Sequence, residues 1–110
     1  MLDSTDNLQL VMGISSKIQE IRSIINEGIV DLDVVINTPG SENEDILESL
    51  RKQKILGELL QRLSKYSTAI SNDKYDLNGL NQLSNALTKL GSSLEEGTFF
   101  TLLNNASVDN

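Results

Sequence analysis

Leucines stand at positions 80, 83, 87, 90 and 94, spaced three, four, three, four. An apolar residue every 3.5 positions draws a single stripe down one side of an α-helix, and a helix with such a stripe must bury it against another. Two earlier segments repeat the pattern. Ile14, Ile18, Ile21, Ile25, Ile29, Leu32 and Ile36 mark a first helix. Leu47, Leu50, Leu56, Leu59, Leu60, Leu63, Tyr66 and Ile70 mark a second. One local run competes, since Val30-Asp31-Leu32-Asp33-Val34 alternates with period two and is rich in β-branched residues. It has no second alternating run to pair with, so the helical spacing decides.

The spacing predicts an all-α chain: a three-helix bundle with coiled-coil-like packing, its first two helices an antiparallel hairpin and the third packed on it. The helices are expected at about 5–37, 42–71 and 77–96, in a single domain over residues 1–110, with a short apolar tail at 98–105. Ser4, Thr5 or Asp6 supplies the first cap. Thr38-Pro39-Gly40 ends the first helix, because proline disfavours helical geometry at the residue before it. Ser41 and Glu44 then form an S-x-x-E capping box for the second. Asp73 or Asp76 caps the third, and Gly97 suits its end. If Pro39 lies at the centre of the hairpin, facing residue numbers sum to roughly 79, setting Glu27 and Asp31 near Arg51 and Lys52 and Arg22 near Glu58.

Composition narrows the function. The chain has 110 residues and a net charge of -7, with neither Cys nor His. Disulfides, thiolate chemistry, zinc–cysteine sites and histidine bases are thereby ruled out. The acidic balance opposes binding to a phosphate backbone or an anionic membrane surface. Branched aliphatics dominate, with 18 Leu and 10 Ile against two Phe and two Tyr. That suits helix seams and not base-stacking platforms. No apolar run is as long as a membrane span. The opening Met1-Leu2-Asp3-Ser4-Thr5-Asp6 is acidic where a secretory signal is basic, so the expected location is cytoplasmic.

Candidate chemical sites are weak. Asp76-Leu77-Asn78-Gly79 echoes a calcium loop, but the alignment puts Lys74 at its first ligand position and Asn85 where a Glu is required. Glu42, Glu44, Asp45 and Glu48 form the densest acidic cluster, and a metal-assisted enzyme built on them is the remote alternative. Acids are favoured at a helix N-terminus in any case. No catalytic, metal or cofactor residue is assigned.

What remains is apolar surplus. Leu10, Ile24, Val34 and Val35 on the first helix and Ile46 and Ile55 on the second lie off the main stripes. Phe99-Phe100 follows the third. The expected role is a non-enzymatic helical subunit or adaptor, with another protein or further copies of itself as partner. A chaperone, inhibitor or immunity-type protein that masks its partner is the alternative. Phe99, Phe100, Leu103, Ile24, Val35 and Ile55 are the expected interface residues.

Overall fold

The structure, a computed structural model, describes residues 4–97 and Phe99. It contains α1 (Ser4–Asn37), α2 (Asn43–Ser71) and α3 (Leu77–Glu95), with no strand among the described residues. The protein is thus the expected all-α three-helix bundle. Residues 30–34 are helical, and the alternating pattern there has a consequence. Val30 and Val34 fall on the side of α1 away from the core and stand exposed.

α1 is the central element. Ile14, Ile18, Ile21 and Ile25 are almost fully buried. α1 packs along both α2 and α3. From α2 come Leu56, Leu63 and Ile70, at intervals of seven; from α3 come Leu80, Leu83 and Leu87. The row on α2 begins at Ser49, a buried polar residue one heptad before Leu56. Leu47 and Leu50, expected in the second stripe, lie off this row and are exposed. Leu90 and Leu94 continue the leucine stripe of α3 but are only half-buried.

Helix lengths explain the elongated outline of 61 × 30 × 22 Å. At 1.5 Å per residue, α1 runs about 51 Å and α3 only about 28 Å. Two contacts fix how α3 lies. Lys17 Nζ donates to Ser84 Oγ (3.0 Å) and Thr88 Oγ1 (2.7 Å), and a Cβ added at Gly91 would touch Ile21. The two helices therefore run parallel, and α3 ends level with about Ile25 of α1. Beyond that level, of the three described helices, α1 and α2 continue. The molecule is a three-helix body with a two-helix arm, and the arm ends in the Pro39 turn.

That turn departs from expectation in one respect. Thr38 to Ser41 form a tight turn, with the Ser41 N–H donating to the Thr38 carbonyl at 3.2 Å and Gly40 at φ 89°. Proline second and a positive-φ glycine third are the requirements of a type II turn. Ser41, however, does not cap α2. Its hydroxyl donates back to the Val35 carbonyl at 2.8 Å. Asn37 Nδ2 donates to the Asp33 carbonyl (2.9 Å), and Thr38 Oγ1 to that of Val34. All three side chains donate to carbonyls in or next to the last turn of α1, where backbone partners run out. The N-cap of α2 is Glu42, whose side chain makes no capping hydrogen bond. The capping box is thus absent, because Ser41 closes the helix before it.

The hairpin register also differs. Gln53 Nε2 bonds the Ile29 carbonyl (3.0 Å) and Asp33 Oδ1 (2.7 Å), while Arg22 donates to Ser64 Oγ (3.2 Å). These pairs sum to 82 and 86 instead of 79. The five residues between α1 and α2 add length at the turn and shift α2 by about one to two helical turns. Arg22 accordingly meets Ser64 and not Glu58. Arg51 pairs with Glu48 of its own helix at 2.6 Å, and Lys52 lies 4.0 Å from the same carboxylate.

The expected residues at both ends of α3 hold. Asp76 accepts the Gly79 N–H at 2.7 Å and starts α3, and Gly97 follows it with φ 75°.

Candidate interaction surface

The apolar surplus is unevenly placed. Among the described residues the exposed large hydrophobics are Leu8, Met12, Val30, Val34, Val35, Leu47 and Leu50. The last five all belong to the arm. Val30 and Val34 are each 61% exposed, Leu47 66%, Leu50 47% and Val35 37%. The cause is geometric. Two helices can bury only the faces they turn to each other, and among the described residues no third helix runs along the arm. Val30 and Val34, one turn apart, share the outer face of α1; neighbouring exposed apolar residues on a small protein mark a binding feature, whereas scattered single ones are ordinary.

A second feature is a groove of about 380 Å³ between α2 and α3. Ile55, Leu59, Leu63 and Tyr66 line one wall, Leu90 and Phe99 the other side, and Glu58 and Arg62 the rim. It exists because α2 and α3 each pack on α1 more closely than on one another. Phe99 is half-buried there.

Two of the expected interface residues, Ile55 and Phe99, are therefore brought together in this groove. Ile24 is elsewhere, in a cleft between α1 and α3 with Lys17, Leu87 and Gly91. Val35 lies on the arm. Phe100 and Leu103 fall outside the described residues. Val30, Leu47 and Leu50 were not among the expected interface residues. The signal for Val30 and Val34 was the period-two run itself, since a β-like alternation forced into a helix must leave some valines outside.

The electrostatics are local. An Arg51 hydrogen bond, Arg51 Nη2 to Glu48 Oε1 at 2.6 Å, holds the Glu48 carboxyl below its ordinary range, and Glu48 in turn raises Arg51. Of the 42–48 acids, Glu48 is thus engaged by bases of its own helix. No group of three or more acidic side chains among the described residues is gathered as a metal site. Asp76, the residue that suggested a calcium loop, serves as a helix cap. No described helix is long and apolar enough to cross a membrane.

No protein-family model matches the chain, and comparison with characterised proteins and with solved structures likewise finds no match.

Proposed function

We propose that this protein is a non-enzymatic interaction module, a small helical subunit or adaptor that engages another protein through helix–helix packing. One observation carries the reading: Val30, Val34, Val35, Leu47 and Leu50 are all exposed on the arm, where no third helix is found among the described residues. Burying aliphatic surface stabilises by roughly 25 cal/mol per Å², so a partner laid along the arm gains directly from these side chains. The three-helix body supplies the rigid base.

The test is association. The chain at tens of micromolar is examined by light scattering and by cross-linking in native lysate, beside a Val34→Ser/Leu47→Ser double variant. The expected result is a species heavier than the 12.1 kDa chain that weakens in the variant. A monomer with no discrete cross-linked species overturns the proposal. The groove between α2 and α3 favours a second reading, a chaperone or inhibitor that holds a partner's helix. That reading places the cross-links on Ile55 to Tyr66 and not on the arm.

A further inference from the structure

Between Arg22 and Arg51 the chain carries seven acidic residues and not one Lys or Arg. Glu27, Asp31 and Asp33 lie on the second half of α1; Glu42, Glu44, Asp45 and Glu48 lie at the start of α2. All seven are exposed. The acids near the start of α2 sit where a helix dipole favours negative charge. Asp31 and Asp33 sit near the opposite end of α1, where it favours cations, and no basic residue stands in that last turn. The α1 carbonyls there are satisfied by Asn37, Thr38 and Ser41, which are neutral. These neutral groups bond carbonyls near the helix end but leave its negative potential uncompensated.

The same stretch of α1 is apolar. Val30 and Val34 are exposed one turn apart, and Glu27 and Asp31 stand one turn apart beside them. Ser23, Asn26, Glu27, Val30 and Asp31 together line a shallow depression on this face. Aliphatic residues bordered by carboxylates match the face of a helix whose apolar row is bordered by Lys or Arg. Charge complementarity of this kind selects partner and orientation. A second copy of the chain fits less well. Its clustered bases begin at Arg51, which is paired with Glu48, and they border a segment of α2 turned largely toward its own core and groove.

We infer that the outer face of α1 in the arm, centred on Val30 and Val34, docks a basic amphipathic helix of another protein. Glu27 and Asp31 receive its cations. The inference rests on the interaction-module reading and names the partner's chemistry.

The experiment is a titration of the isotope-labelled full chain, followed by NMR, with a synthetic Leu/Lys amphipathic helical peptide. The same peptide with Lys replaced by Glu, and a scrambled peptide of identical composition, serve as comparisons. Saturable binding by the first peptide alone is expected, with shifts over residues 23–34. Glu27→Gln/Asp31→Asn should weaken it about three- to tenfold, and added salt should weaken it further. Glu95→Gln/Glu96→Gln makes the same change in net charge elsewhere and should leave the affinity unchanged. Equal binding of the scrambled peptide, shifts centred on the α2–α3 groove, or an equal effect of the Glu95/Glu96 variant overturns the inference. So does a homodimer that Glu27→Gln/Asp31→Asn disperses, which would make a second copy the occupant. If the Leu/Lys peptide does not bind but the lysate cross-link persists, only the docking chemistry falls. If both are absent, the interaction-module reading falls with it.

Discussion

Leu87→Ala is the most direct test of the packing. Leu87 is 2% exposed at the middle of α3 and shares a cleft wall with Ile21 and Ile24 of α1. The substitution removes three carbons. At about 0.8 kcal/mol for each, the lost transfer free energy is about 2.5 kcal/mol. The void left behind adds to this, and large-to-small core changes of this type span about 2–5 kcal/mol. The cleft lets water reach the void, so the expected loss lies at about 2.5–4 kcal/mol, in the lower and middle part of that range. Small domains have about 5–15 kcal/mol in total. The loss therefore consumes a large share and shifts the urea midpoint far to the left. The assay is urea unfolding followed by far-ultraviolet circular dichroism, with the slope held common between variants. Val34→Ala, at a position 61% exposed, is the internal reference and should change stability by less than about 0.5 kcal/mol. A Leu87→Ala loss below about 1 kcal/mol, or a Val34→Ala loss as large, would refute the assignment of core and surface.

Three further outcomes are expected. Glu42 has the extended backbone of an N-cap but no capping side-chain bond, so Glu42→Asp should stabilise by about 0.5–1 kcal/mol in the same assay, while Ser41→Ala should affect only the end of α1. Asp76→Ala removes the acceptor of the Gly79 N–H and should cost about 1 kcal/mol, seen as a lower melting temperature with unchanged helix content at low temperature. Ser49 is buried, and its hydroxyl makes no hydrogen bond among the described residues. Ser49→Ala should therefore stabilise by about 1 kcal/mol, and a loss of that size would show that the hydroxyl has a partner.

The helices and their order were legible because apolar spacing is a property of the local chain. The stripe on α1 was read residue by residue, and its four isoleucines from Ile14 to Ile25 form the core. What the spacing did not reveal was how far each helix travels beside its neighbours. Register depends on the path of five residues after Asn37, and an offset of one to two turns was enough to separate Arg22 from Glu58. Ser41 serves α1 and not α2 for a related reason. A hydroxyl between two helices can serve either, and the backbone of the turn decides which. Leu47 and Leu50 follow the helical period, yet they stand outside because the heptad of α2 starts at Ser49. Of the expected interface residues, Ile55 and Phe99 converge on one groove, Ile24 and Val35 lie on other surfaces, and Phe100 and Leu103 lie outside the described residues.

The unequal helix lengths give α1 two mechanical characters within one uninterrupted rod. From Ile14 to Ile25 it is held by neighbours on two sides, so its amides should exchange with solvent chiefly through opening of the whole fold. From Ile29 to Asn37 the described residues hold it on one side, through Gln53 and a partly exposed seam, and separation of the two helices of the arm should suffice to release those amides. A helix of 34 residues should thus pass from slow to fast exchange along its own length, with the boundary where α3 stops. Anything laid on the valines of the far half stiffens that half, and the boundary moves toward the Pro39 turn.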